Sequence, residues 1–552
     1  MREPVRIQKC RRVRESGDGM SGLLLDVTDL NIEFHDHSRP ETVVHDFDLM
    51  LEEGEIVGIV GESGSGKSMS AMAVAGLLSR HEIRKQGKIL YDGRNLLDCD
   101  RETLRRYQGE DIAVIFQEPM TSLDPVKKIG WQVEESVRLH HPETPAKERR
   151  AMAIRCLEDS GLPEPEKVYG QYPFELSGGM RQRVMIAAAM MGNPRILIAD
   201  EPTTALDVLV QEQIIELLRR IHRERGTSIL FISHDLSLVR RLCSRVLVMQ
   251  HGRIVESGRT EEVFFHPQDS YTRKLVSAIP RVEPGVRERS RNTGERTEPV
   301  LTVERLSLSY REAGGPLPGA KRHPALKNIS FTLHRGECLA LVGGSGCGKT
   351  TLARAAVGML RGDSGRVELH GNRAQMVFQD PYSALNPARS VRWILEEPLR
   401  TLGVKDAGER ARRVLDMADR VRLERELLDR YPGQLSGGQR QRVCIAAALM
   451  QKPDILVAVS ALDVTIQLEI LALLRALQKE MNLSILFISH DLRTVYQLCD
   501  TIMVMEHGEV VESGSVDAVY ARPQSDCTRG LLRAAGIQEF EAAGAGQESV
   551  VL

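Results

Sequence analysis

Gly61-Glu62-Ser63-Gly64-Ser65-Gly66-Lys67-Ser68 decides how this 552-residue chain is read. It returns as Gly343-Gly344-Ser345-Gly346-Cys347-Gly348-Lys349-Thr350, with Thr351 directly after it. Both stretches fit G-x-x-x-x-G-K-[ST], the loop that cradles nucleotide phosphates. Glycines let successive backbone N–H groups turn inward around an anion, and the helix that follows adds its positive end. The pattern places Lys67 and Lys349 to reach the terminal phosphates of a nucleotide, and the Ser68 and Thr350 hydroxyls to hold Mg²⁺. An apolar run leads into each copy, residues 56–60 and 338–342. A helix-compatible segment leads out of each, residues 69–78 and 352–360. Two matches in this strand–loop–helix context exclude a chance glycine-rich turn.

A chain this long holds more than one core, since single cores seldom outgrow roughly 250–300 residues. With 74 basic against 76 acidic residues the net charge is −2, which carries no electrostatic footprint for nucleic acid. No apolar run approaches the ~18 residues of a membrane span, and no secretory segment follows the start. The sequence therefore reads as a soluble protein that meets a membrane only through partners. Nine cysteines, an odd number without a C-x-x-C pair, argue against a disulfide framework or a zinc site and fit a reducing cytosol. Cys347 inside the second loop reads as a variable loop position, or else as a thiol-sensitive one.

The two halves can be laid over each other. Residues 23–34 match 300–310, residues 47–60 match 329–342, and ILFISHDL occurs at both 229–236 and 485–492. A repeat this long reads as two homologous domains rather than a solenoid. The expected organisation is a disordered leader over 1–21, with Met1 or Met20 as the start, then a first domain over 22–280. A charged linker over 281–299, a second domain over 300–535 and a flexible tail over 536–552 follow. Within each half, β-rich apolar runs alternate with helical patterns, which predicts α/β layering on a mainly parallel sheet with an added helical subdomain.

Leu176-Ser177-Gly178-Gly179-Met180 and Leu435-Ser436-Gly437-Gly438-Gln439 each precede a helix rich in Arg, Gln and Ala, a second anion-binding corner. Together with the phosphate loops, these motifs make both halves resemble the nucleotide-binding domain of ABC transporters over about residues 22–535. The resemblance implies tandem P-loop ATPase domains that pair head to tail, each ATP clamped between one phosphate loop and the opposite Ser-Gly-Gly corner. It implies Gln117 and Gln379 at metal and water, and Asp200 on Mg²⁺. It further implies Glu201 as the base for the attacking water, His234 and His490 as switch histidines, and Asp207 and Asp463 in the D-loops. Phe34 and Tyr310 are either adenine-stacking residues or plain edge aromatics.

The runs around Gln117 and Gln379, and the domain ends at 266–275 and 522–529, resemble the dipeptide, oligopeptide and nickel importers of that family. In some glutathione and microcin-type peptide importers the two ATPase domains are likewise fused in one chain. Implied partners are two membrane permease subunits and an extracytoplasmic solute-binding protein, with the chain peripheral on the cytoplasmic face of the membrane and no nucleic acid involved. Permease contacts would fall at 129–139 and 391–399, where Trp131 and Trp393 are either contacts or ordinary packing. The alternative is a soluble tandem ABC ATPase acting on ribosomes or DNA, against which the 19-residue linker and the missing zinc modules or coiled coils speak.

Two departures stand out. Residues 194–208 (PRILIADEPTTALDV) correspond to 453–464 (PDILVAVSALDV), and the three residues lost read as Asp-Glu-Pro. The second half then lacks both the metal-binding aspartate and the catalytic glutamate. Met180 also stands where Gln439 stands in the other corner. With head-to-tail pairing both defects fall in one pocket. That leaves one hydrolytic and one slow site, or else a decayed or mis-sequenced second copy. The second half is also shorter between loop and glutamine, lacking a counterpart of 95–107, which reads as a peripheral surface segment.

Overall fold

The computed structural model describes residues 22–35, 40–78, 82–204, 206–277, 282, 298–311, 322–378, 381–459, 464–489 and 491–537. The chain divides into two compact units, residues 1–206 with 210–279 and residues 207–209 with 280–552.

In the first unit, β1 (Leu23–His35), β2 (Pro40–Glu52), β3 (Ile56–Val60), β4 (Ile83–Tyr91) and β5 (Arg94–Asn95) come first. They are followed by β6 (Ile112–Ile115), β7 (Ile196–Asp200), β8 (Ser228–Ile232), β9 (Arg245–Gln250) and β10 (Arg253–Arg259). One sheet has the order β2-β1-β4-β5 and is antiparallel. The other has the order β10-β9-β3-β8-β7-β6, parallel except for β10 at its edge.

Residues of the parallel strands are buried on both faces, which is why these strands read as unbroken apolar runs. Their alternation sorts them between two cores. Val57, Ile59, Ile196, Ile198, Leu230 and Ile232 pack towards the antiparallel sheet with Leu25, Ile32 and Phe47. Ile56, Val60, Leu197, Ala199, Ile229 and Phe231 pack on the other side against helices, including Val184, Ile186 and Ile215. β1 and β2 instead alternate buried with more exposed residues, as sheets covered on one face do. A helical layer between β6 and β7 includes Ala146–Asp159 and Gly178–Met190.

The second unit repeats this plan. β11 (Pro299–Arg311), β12 (Arg322–His334) and β14 (Ser364–Leu369) form a sheet in the order β12-β11-β14. β13 (Cys338–Gly343), β15 (Ala374–Val377), β16 (Ile455–Val459), β17 (Ser484–Ile488), β18 (Thr501–Glu506) and β19 (Glu509–Ser515) form the other. Its order is β15-β16-β17-β13-β18-β19. The segment that the first unit has in addition includes the helix Arg101–Tyr107, none of whose residues is fully buried. Gly536 and Ile537, which the sequence assigned to the tail, pack with the last helix instead. Ile537 is 8% exposed, because its side chain completes an apolar cluster with Leu531 and Leu532. The expected leader over 1–21 and residues 538–552 lie outside the described residues, as does most of the expected linker.

Candidate functional site

The candidate groups of the first unit gather at the carboxyl ends of neighbouring parallel strands, where open α/β sheets bind ligands. β3 runs into Gly61, β8 runs into Ser233 and His234, β7 ends on Asp200, and Gln117 follows β6. The phosphate loop depends on its glycines. Gly61 has φ +153°, and a Cβ there would sit 2.2 Å from the Met249 carbonyl oxygen. Gly66, φ +96°, caps the helix Lys67–Val74 in the left-handed conformation. Lys67 is buried, and its Nζ donates to the Gly61 and Glu62 carbonyls, both at 2.8 Å.

Glu201 is the centre of the site. Its Oε2 accepts from Gln117 Nε2 at 2.8 Å and from the Thr204 hydroxyl at 2.8 Å, and faces His234 Nδ1 at 3.2 Å. Oε1 carries none of these contacts. Glu201 has φ +47°, a left-handed conformation that a glutamate adopts at a cost of about 1 kcal/mol. Its backbone is held there by its N–H to the Ile232 carbonyl at 2.9 Å and its own carbonyl accepting from Thr204 N at 3.2 Å. Beside it, Asp200 Oδ1 accepts from the Ser68 hydroxyl at 3.0 Å.

The two adjacent carboxylates differ. Burial pushes Asp200 above the usual aspartate range; the Ser68 hydrogen bond opposes this, and the neighbouring Glu201 charge adds to it. Burial pulls Glu201 upward too, but the His234 hydrogen bond and charge, the Thr204 hydroxyl and the Lys67 charge outweigh it and hold the group below the usual glutamate range. A buried aspartate beside a serine hydroxyl is a set of hard oxygen donors that suits Mg²⁺, and the inward-turned loop suits a polyphosphate. The residues of the first unit therefore fit both groups.

Ser177 starts the helix Gly178–Met190, its hydroxyl accepting the Met180 N–H at 3.4 Å. Among the described residues no hydrogen bond joins Ser177, Gly178 or Gly179 to the phosphate loop. In the second unit Ser436 and Gln439 make a reciprocal box, Gln439 N to Ser436 Oγ at 3.3 Å and Ser436 N to Gln439 Oε1 at 2.9 Å. Gly437 and Gly438 begin the helix behind it. Met180 cannot return the second of these bonds.

The second phosphate loop, Gly343 to Thr350 with Thr351, is built alike. A Cβ on Gly343 would meet the Met505 carbonyl oxygen at 2.2 Å, and Lys349 Nζ reaches the Gly343 and Gly344 carbonyls at 2.9 and 2.7 Å. Cys347 takes the place of Ser65 and lies 3.6 Å from Lys349 Nζ. Tyr310, 43% exposed, touches the loop helix through its hydroxyl, 3.2 Å from Thr351 Oγ1. Phe34 is half-buried on β1. Gln379, Asp463 and His490 lie outside the described residues.

The second half departs from the first at the end of β16. β16 keeps five residues, and its last, Val459, pairs with Ile488 as Asp200 pairs with Ile232. The difference in length therefore lies between the end of this strand and the helix that starts at Val464. Val459 thus stands at the strand-end position that Asp200 holds in the first unit. Val459 offers no oxygen donor where Asp200 does, so this strand end does not fit Mg²⁺ as the first does.

Sequence reasoning missed Thr204, Tyr271 on the phosphate loop and the φ of Glu201. Thr204 adjoins a recognised motif, but nothing in the sequence marks its hydroxyl as a partner of Glu201. Both tryptophans lie under cations. Trp131, 40% exposed, has Lys127 Nζ and Arg138 Cζ at 4.0 and 4.1 Å from its ring centroid. Trp393 packs partly into the core below Arg389 and Arg400. Among the described residues no helix is long and apolar enough to cross a membrane.

Comparison with known proteins agrees with this architecture. The ABC transporter family matches residues 44–204 and 326–458. The oligopeptide/dipeptide transporter C-terminal region matches 255–303. The chain is 43% identical over 533 residues to the peptidoglycan transport ATP-binding protein YejF of Agrobacterium fabrum (strain C58), covering 93% of this chain and 96% of that one. It is 39% identical over 561 residues to the glutathione import ATP-binding protein GsiA of Salmonella choleraesuis (strain SC-B67), covering 94% and 90%. Among solved structures, archaeal ribosome recycling factor aABCE1, in complex with ribosomal stalk protein aP1, shares the fold with a TM-score of 0.57. That match is 22% identical and covers 87% of this chain and 88% of that one. The chain belongs to the ABC transporter ATP-binding family and carries two ABC-type P-loop ATPase domains.

Proposed function

We propose that this chain is the motor of an importer for peptide-like solutes, with one hydrolytic ATP site. The observation that carries the site assignment is the convergence of Gln117, Thr204 and His234 on one oxygen of Glu201, next to the Ser68–Asp200 pair. Bound MgATP would supply the phosphoanhydride to be cleaved and the cation that offsets its charge. Ser68, Asp200 and Gln117 would hold the metal, and Lys67 would swing from its carbonyls to the phosphates. Glu201, ionised and fixed through Oε2, would accept a proton from water at Oε1, with His234 steadying the charge. The second unit, with Val459 at the strand end, would bind nucleotide at Lys349, Thr350 and Gln379 and turn it over slowly, His490 notwithstanding.

The solute class is supported by the relatives' names. Peptidoglycan and glutathione both contain peptide, so of the solutes the sequence left open, short peptides are favoured over nickel. Two permease subunits and a solute-binding protein would complete the system, with this chain on the cytoplasmic face of the membrane. Glu201→Gln keeps the shape and removes the base, a loss of ~10²–10⁴ in rate at that site. It is expected to abolish more than about nine-tenths of steady-state ATP hydrolysis. Survival of half the activity would mean that the second site hydrolyses as well.

A further inference from the structure

The run that closes the first unit, residues 266–275, brings one side chain onto the phosphate loop. The Tyr271 hydroxyl oxygen accepts the Glu62 N–H at 3.0 Å, and the tyrosine is only 7% exposed. The carbonyl of the same residue, Glu62, accepts Lys67 Nζ at 2.8 Å. Glu62 is therefore held on one side by the closing segment, while on the other it holds the lysine that must reach the phosphates.

The closing segment is itself clamped. The Glu256 carboxylate on β10 accepts the backbone N–H groups of Gln268 and Asp269 at 2.9 and 3.0 Å. Asp269 accepts the Tyr271 N–H at 2.7 Å and starts the helix Ser270–Ser277. The second unit is an internal control. Glu512 accepts the N–H groups of Gln524 and Ser525 at 2.8 and 2.9 Å, and Arg529 folds back as Arg273 does. The clamp is the same, but Cys527 stands where Tyr271 stands. Among the described residues no side chain of that unit bonds the Gly344 N–H.

We infer that Tyr271 is a positioning residue for the first phosphate loop, and that it links the clamped closing segment of this unit to ATP affinity. An aromatic ring packed in a core loses little further freedom, so its oxygen is a fixed acceptor for an N–H that would otherwise lack a partner in a partly buried loop. Without that oxygen the loop starts from a broader set of conformations, and nucleotide binding must narrow it. The loss falls on binding rather than on the chemical step, which Glu201 carries.

The inference rests on the proposed reading that the first site hydrolyses ATP, and the test separates the two. In the full chain, Tyr271→Phe removes one oxygen, Tyr271→Cys reproduces the second unit, and Thr272→Val alters the next buried position on the same helix without touching the loop. Steady-state ATPase assays should show KM for ATP raised about threefold to tenfold in both Tyr271 variants, with kcat within about twofold of the parent. Thr272→Val should leave KM unchanged. An unchanged or lowered KM in Tyr271→Phe, with the parent active and Glu201→Gln inactive, overturns the link alone. An equal rise in Thr272→Val also overturns it, since general loosening of the helix would then be the cause. An inactive parent chain, or a Glu201→Gln variant with half the activity, overturns the site reading beneath it.

Discussion

Replacing Val459 by aspartate rebuilds one element of the first site in the second unit, and the cost can be worked out beforehand. Val459 is 8% exposed at the end of β16, in the register position that Asp200 holds in β7. Giving up the buried isopropyl group costs about 1.5–2 kcal/mol. Placing a carboxyl group in the same surroundings costs a further ~1–3 kcal/mol, because burial disfavours its ionised form as it does for Asp200. Thr350, at the sequence position of Ser68, can return about 1 kcal/mol through its hydroxyl. The net loss of about 3 kcal/mol should lower the unfolding temperature of this unit by roughly 6–12 °C in a melt of the full chain. MgATP should then stabilise Val459→Asp more than it stabilises the parent, whereas ATP with EDTA should not. Hydrolysis should stay at the Glu201→Gln background when the two changes are combined, since the next residue, Ser460, is no base. A melting shift below about 2 °C would mean that Val459 faces solvent, and the register argument would fall. Equal stabilisation with and without Mg²⁺ would mean that the new carboxylate does not face the Thr350 hydroxyl.

Two other substitutions probe the first site. Thr204→Val removes one of the three groups on Glu201 Oε2 and should lower kcat about threefold to thirtyfold with KM for ATP little changed, while Thr204→Ser restores the parent value; a kcat equal to the parent's would remove Thr204 from the site. Gly61→Ala drives a methyl group to 2.2 Å from the Met249 carbonyl and should cost about 2–4 kcal/mol and nucleotide binding together. Gly54→Ala, with φ +68° but open space around it, should cost only ~1 kcal/mol and spare binding, and a comparable loss of binding there would refute the steric argument.

The sequence revealed most where physics repeats a pattern along the chain. Apolar runs such as 56–60 and 229–232 are legible because a parallel strand is buried on both faces, and the glycine-rich loops because few other residues tolerate their φ values. What stayed hidden is three-dimensional. Gln117 reaches across 84 residues to the Glu201 oxygen that Thr204 also bonds, and Tyr271 reaches Glu62 across 209 residues. Neither junction leaves a periodic trace, because each depends on one side chain arriving at one place.

The shorter second half shows the same difference between letters and geometry. Aligning letters weighs Asp-Glu-Pro as a motif that is either present or lost, whereas the sheet weighs hydrogen bonds. Ile455 to Val459 each have a register partner on β17, and Ala374 to Val377 pair on the opposite side. Removing a residue from inside that strand would slip the side chains beyond it to the opposite face and exchange the two cores, whereas a loss at its end would not. Shortening the segment that follows leaves the strand register untouched. Val459 therefore takes the strand-end position of Asp200, and three fewer residues separate it from the helix that follows. That is why the phosphate loop of the second unit keeps its full geometry while the carboxylate beside it is gone.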